Sequence, residues 1–128
     1  MATQIPVLMD SNQTADSDLS AKQFFFVKKT ATGVDVCSAA TDKPWGVLQN
    51  TPTQGQAAVV MRLGISKLKA GSTIAVGADI GTDATGKGDS KTPGTDTTEF
   101  TVGVADEAAV ANDLFTAGIN CLNPGRTA

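Results

Sequence analysis

The sequence predicts a mainly-β protein: a small β-barrel or compact β-sandwich with an internal pseudo-repeat and an extended N-terminal arm. Three observations predict it. Short runs rich in Val, Ile and Thr alternate with clusters of Gly, Pro, Asp and Ser, the punctuation of a chain that turns often. Apolar residues make up 41% of the 128 residues while aromatics are only 5% and tyrosine is absent, so the core must be aliphatic and thin. Finally, Gly64-Ile65-Ser66-Lys67-Leu68-Lys69-Ala70-Gly71 matches Gly118-Ile119-Asn120-Cys121-Leu122-Asn123-Pro124-Gly125 as G-I-x-x-L-x-x-G, and Trp45-Gly46-Val47 finds a partner in Val102-Gly103-Val104. Two such units close one small barrel or sandwich about a pseudo-two-fold axis, with mid-strand glycines at its corners.

A chain of this length holds one domain. Residues 1–22 read as an arm, in which a short apolar patch (Ile5, Val7, Leu8, Met9) precedes a polar run from Asp10 to Asp18 with neither helical nor strand periodicity. The domain itself is expected over 23–123, with a tail over 124–128. Phe24-Phe25-Phe26-Val27 opens a strand, Thr30-Ala31-Thr32-Gly33 supplies a turn, and Val34-Asp35-Val36-Cys37 returns, which is a β-hairpin. Pro44 starts the strand Trp45-Gly46-Val47-Leu48, and after the Pro52–Gly55 loop a long β-branched run extends from Ala57 through Leu68. Ile74 to Val76 predicts another short strand. Residues 81–98 are nearly all Gly, Thr, Asp, Ser, Lys and Pro and predict a solvated loop with nothing to pack; order resumes at Glu99-Phe100-Thr101-Val102.

The composition also excludes function classes. With no histidine the chain lacks the residue most used for general acid–base work near neutral pH, and the commonest metal ligand. A net charge of −3 argues against phosphate neutralisation, so nucleic acid is not the expected partner. The first residues lack a basic region and a signal-length apolar run, and no run reaches membrane-spanning length, so synthesis in the cytoplasm and no membrane partner are expected. In that compartment the default for Cys37 and Cys121 is two reduced thiols acting as small core hydrophobes, with a disulfide between them as the alternative.

Three motifs suggest chemistry and fail on detail. Gly81-Thr82-Asp83-Ala84-Thr85-Gly86-Lys87 has the G-x-x-x-x-G-K spacing of a phosphate loop, but Gly88 replaces the hydroxyl that holds Mg²⁺ and Asp89–Gly94 cannot start the helix the motif requires. Asp79, Asp83 and Asp89 lack the order of a calcium loop and read as turn formers. Asp106-Glu107 are adjacent, so on a strand they point to opposite faces. No catalytic residue, metal site or cofactor is expected, and the chain is not read as an enzyme. Phe24, Phe25, Phe26 and Trp45 are assigned to core or subunit packing.

The run Asp18-Leu19-Ser20-Ala21-Lys22-Gln23-Phe24-Phe25-Phe26-Val27-Lys28, then Ala39-Ala40-Thr41-Asp42-Lys43-Pro44-Trp45-Gly46-Val47-Leu48-Gln49-Asn50, then Gly64-Ile65-Ser66-Lys67, and finally Val102-Gly103-Val104-Ala105 with Asp113 opening the last strand, resembles the small capsid decoration (cement, head-stabilising) proteins of tailed bacteriophages. The resemblance implies a β-barrel-like structural protein of the virion, often a homotrimer. It would sit on the outer capsid surface where major capsid proteins of neighbouring capsomers meet, with Ile5, Val7, Leu8 and Met9 of the arm contacting the capsid or a neighbouring subunit. The alternative is a carbohydrate- or surface-binding β module of a phage or bacterial appendage. One Trp and no Tyr offer such a module little to stack sugars on.

Overall fold

The computed structural model describes residues 2–127; Met1 and Ala128, the outermost residues of the expected arm and tail, lie outside the described residues. No described residue is α-helical. Eleven strands follow in chain order: β1 (Ile5–Thr14), β2 (Phe26–Lys29), β3 (Val34–Val36), β4 (Gly46–Leu48), β5 (Ala57–Lys69), β6 (Asp79–Thr82), β7 (Gly88–Ser90), β8 (Phe100–Thr101), β9 (Gly103–Ala105), β10 (Leu114–Asn120) and β11 (Gly125–Arg126). The main sheet runs β3-β2-β4-β5-β10-β9-β6-β7, with β1 pairing β5 outside that order, while β8 and β11 form a separate pair. Every pairing between named strands is antiparallel, and the sheet curls into a half-barrel, the barrel-like mainly-β architecture the sequence predicts.

Strand order shows the repeat directly. Reading outward from β5 and β10, β4 corresponds to β9 and the hairpin β2–β3 to the hairpin β6–β7. Registers agree residue by residue: Val47 faces Met61 and Leu48 faces Val60 in one unit, Val104 faces Gly118 and Ala105 faces Ala117 in the other. Gly46-Val47 is therefore equivalent to Gly103-Val104, as the sequence indicates. The structural partner of Gly118 is Met61, not Gly64, so the G-I-x-x-L match is out of step with the true equivalence even though the duplication is real. Gly64 takes a φ of +140 that Gly118 does not share, and the two glycines occupy different places in the duplicated unit.

Further equivalences extend the units. Ala15-Asp16-Ser17-Asp18-Leu19 after β1 matches Ala70-Gly71-Ser72-Thr73-Ile74 after β5. Ala15 and Ala70 form parallel bridges to Val34 and Gly88, while Ser17 and Ser72 each lie 2.7 Å from the carboxylate of Asp35 or Asp89. The three long strands β1, β5 and β10 are thus successive copies of one element, with Thr14 facing Ala57 as Lys69 faces Leu114.

Two apolar clusters result. One gathers Phe26, Met61, Leu68, Ile80 and Phe115 with Cys37 and Cys121; the other holds Ala15, Leu19, Val27, Val34, Leu48, Ala58 and Val60. Both cysteines are free and buried, and burial pushes each thiol up to about 12, so they serve as small hydrophobes.

Several local expectations are corrected. The N-terminal segment is a strand along most of β5. Its alternation is hidden because register shifts between Pro6 and Leu8, Leu8 and Met9, and Asp10 and Gln13 change which side each residue faces. Ile74–Val76 is no strand, contributing only the bridge from Ile74 to Ala109, and Phe24-Phe25 precede β2. Residues 81–98 are not a loop without packing. β6 and β7 build a hairpin whose Gly88 lets a polar strand pass under the buried Phe115 ring; a Cβ there would come within 3.1 Å of Phe115 Cζ. Lys91 is buried and ion-paired with Glu99, and the solvated parts are the hairpin tip at Ala84-Thr85 and the turn from Thr92 to Thr98.

The Gly-Val repeat has a steric cause. A Cβ on Gly46 would lie 2.7 Å from the Met61 carbonyl oxygen, and one on Gly103 would lie 2.4 Å from the Gly118 carbonyl oxygen, the equivalent atom. Gly46→Ala and Gly103→Ala are each expected to destabilise the fold by about 1–3 kcal/mol through forced separation of the strands. Chemical denaturation midpoints test this, and unchanged midpoints would show that the close approach is unimportant.

Candidate interaction surface

β1 carries the largest exposed apolar patch the sequence points to. Ile5, Val7, Leu8 and Met9 are 59%, 71%, 43% and 41% exposed, although their backbone is hydrogen-bonded to β5. Among the described residues no strand pairs with the other edge of β1. The strand is tied back at its start, where the Thr3 amide donates to the Thr116 hydroxyl at 2.8 Å. Pro6 removes a backbone donor, a device that weakens indiscriminate edge pairing.

Gly64 seats this strand. Its positive φ and the approach of β1, whose Ile5 carbonyl oxygen would lie 2.6 Å from a Gly64 Cβ, both require glycine. Beside it lies an open apolar groove of 640 Å³ over the paired strands β5 and β10, lined among others by Val7, Ile65, Val104, Gly118 and Ile119. Val7 and Val104 present bare isopropyl groups at its rim.

The other residues singled out by sequence fall elsewhere. Phe26 is fully buried, Phe25 nearly so, and Phe24 half-buried with φ of 67°. Trp45 is half-buried, packs on the second cluster, and is covered by the Arg62 guanidinium 4.0 Å from its ring centre. The β1 patch and the Phe24–Trp45 group are therefore separate features. Sequence reasoning missed the lysines around Phe24: Lys22, Lys67, Lys69 and Lys87 come from three distant segments with no linear pattern.

The chemical motifs become structural elements. Asp83 accepts bonds from the Thr85 amide, the Thr85 hydroxyl and the Lys87 amide, closing the hairpin turn in the middle of Gly81–Lys87. Asp16, at the end of β1, caps the equivalent turn by accepting from the Thr30 and Thr32 hydroxyls. Those bonds hold its carboxyl below the ordinary range. Asp89 holds Ser72 and its own neighbour's amide. The Glu107 carboxylate accepts from the Thr116 amide. Among the described residues no group of three or more His, Cys, Asp or Glu side chains could hold a metal ion.

Comparison with known proteins gives two findings. The family described as phage cement protein matches residues 8–119. Among solved structures, the crystal structure of the head fiber gp8.5 N base in bacteriophage phi29 superposes with a TM-score of 0.65 at 23% identity, covering 89% of this chain and 96% of that one; the likeness is one of fold. No curated protein matches.

Gly64→Ala is expected to unseat β1. The Thr3–Thr116 bond should be lost, with faster amide exchange over residues 5–14 and about 1–3 kcal/mol of lost stability. Unchanged exchange protection in β1 would refute the assignment of Gly64 as its seat.

Proposed function

The chain belongs to the phage cement protein family, a group of phage head structural proteins, and from that premise we propose that it decorates the outer surface of the capsid without performing catalysis. In this reading it binds the major capsid protein at junctions between capsomers, assembles as a homotrimer, and raises the free energy needed to separate capsid subunits. The observation that carries the proposal is β1: an edge strand with its backbone secured and its apolar side chains Ile5, Val7, Leu8 and Met9 left in solvent. Contiguous exposed apolar side chains on a soluble protein mark an interaction surface. An open strand edge beside an apolar groove suits addition of a strand or the seating of a partner's apolar side chain.

Multivalency supplies the strength. Three linked copies need only weak individual contacts, because linkage raises overall avidity by roughly 10²-fold or more. The net charge of −3 keeps the exposed faces of neighbouring copies from associating indiscriminately. The carbohydrate-binding alternative loses support from the position of Trp45, since a ring covered by Arg62 cannot stack on a sugar.

Two measurements test the proposal. Light scattering across a dilution series is expected to give a mass near three protomers. A monomer at every concentration would overturn the preassembled trimer. The double substitution Ile5→Lys with Val7→Lys, at exposed positions, is expected to change stability by no more than about 0.5 kcal/mol. It should weaken co-sedimentation with heads lacking this protein by about tenfold or more. Undiminished attachment of that folded variant would remove β1 from the capsid contact.

A further inference from the structure

The duplicated unit contains its own control for Phe24. In the first unit the Phe24 amide donates to the Leu48 carbonyl at 2.7 Å and the Leu48 amide returns a bond to Phe25 at 2.9 Å; in the second, Gly77 donates to Ala105 at 2.8 Å and Ala105 returns a bond to Ala78 at 3.0 Å. Since Leu48 and Ala105 occupy equivalent registers, Phe24 is the counterpart of Gly77. Both have left-handed backbones, φ 67° at Phe24 and 79° at Gly77. The fold demands that conformation at this point, and glycine meets the demand without strain, whereas a bulky aromatic residue there is a genuine outlier. Packing does not explain the choice. Phe24 belongs to neither core cluster, and a Cβ at Gly77 would meet nothing within 4 Å.

The surroundings indicate what Phe24 is for. Its ring and that of Phe25 form the floor of a concavity of 440 Å³, rimmed by Lys69, Lys87 and the half-exposed Leu114. Lys67 Nζ sits 5.6 Å from the Phe24 ring centre and Lys22 Nζ 5.0 Å from that of Phe25. Lys87 is held by the Asn112 side chain at 2.9 Å, and Asn112, with φ of 72°, is the chain's other positive-φ residue besides glycines among those described. Among the described residues none of these four lysines lies in an ion pair with a carboxylate. In a chain of net charge −3, four lysines without a carboxylate partner around a partly buried aromatic floor make a localised positive, apolar recess.

We propose that this recess is a second docking surface, distinct from β1, which receives an acidic segment of the capsid subunit with an apolar side chain set against Phe24. The assignment rests on the capsid-decoration reading above and adds to it the chemistry of one contact. The lysine rim selects acidic residues and sets the orientation of approach, and the aromatic floor supplies the apolar anchor. Residues in disfavoured backbone conformations gather at binding sites where the side chain is needed for something other than folding.

Phe24→Gly separates folding from binding, because it relieves strain while deleting the anchor. Wild-type protein is first titrated onto heads lacking it; failure to attach saturably would refute the decoration reading itself. Given wild-type attachment, Phe24→Gly is expected to melt at the same or a higher temperature yet attach about tenfold or more weakly. The double variant Lys67→Glu with Lys69→Glu is expected to attach at least as weakly, and what attachment remains should lose most of its dependence on salt. Full attachment by either variant overturns the proposal. A lowered melting temperature for Phe24→Gly overturns it as well, since Phe24 would then serve the core. Loss of self-association in light scattering, with attachment per oligomer unchanged, would assign the recess to a second copy of this chain and overturn the capsid occupant.

Discussion

Two short strands lie closer to their long neighbours than any side chain allows, and the rest of the molecule is arranged around that contact. Gly46 sits against the Met61 carbonyl and Gly103 against the Gly118 carbonyl. β4 and β9 carry their adjoining hairpins along the same curled sheet, and Phe26 of β2, Ile80 of β6 and Phe115 of β10 converge in one cluster although Phe26 and Ile80 stand one residue out of step in the two units. A chain with so few aromatic residues has no bulky side chains to spare for filling a wider gap. Close backbone approach replaces side-chain volume as the means of excluding water.

Much of this was legible in the residues. The hairpin Phe26–Val36, the strand Gly46–Leu48 and the long strand through Leu68 follow from alternation bounded by turn formers. The duplication was visible as well, though anchored on the wrong match. G-I-x-x-L pairs two stretches that occupy different places in the unit, whereas the shorter Gly-Val match identifies the true equivalence. Ala31-Thr32-Gly33 and Ala84-Thr85-Gly86, the tips of the two hairpins, would have placed β6 and β7 correctly. That second hairpin stayed hidden because its composition is that of a solvated loop. Glycine and threonine form a strand here only because Phe115 and the first unit supply the apolar surface they lack, a tertiary effect that local composition does not encode.

The interaction surface was legible in part for a different reason. Ile5, Val7, Leu8 and Met9 stand out in sequence as an apolar patch next to a polar run, and their exposure follows from lying on a strand with only one partner. Nothing linear joins Lys22, Lys67, Lys69 and Lys87; the segment before β2, the strand β5 and the β6–β7 turn bring them together. Phe24 is visible in sequence as one of three consecutive phenylalanines, and that context conceals it, since its neighbours are core residues. Only the backbone angle and the comparison with Gly77 set it apart.

Duplication explains why such differences are informative. Three successive copies of the long strand, β1, β5 and β10, leave the array open rather than closed: β5 has partners along its length, while β1 has one neighbour and an unpaired edge. A tandem repeat that stops short of closure necessarily presents one terminal copy to solvent, and an unprotected terminal strand is an aggregation hazard unless it is blocked or employed. Pro6 and the register shifts of β1 block it in part, yet the retained apolar side chains work against that blocking. The second unit shows that glycine satisfies the geometry at the position of Phe24. At both places the residue present is worse for an isolated, soluble protomer than an available alternative, and such departures from local consistency concentrate where a surface is shaped for a partner.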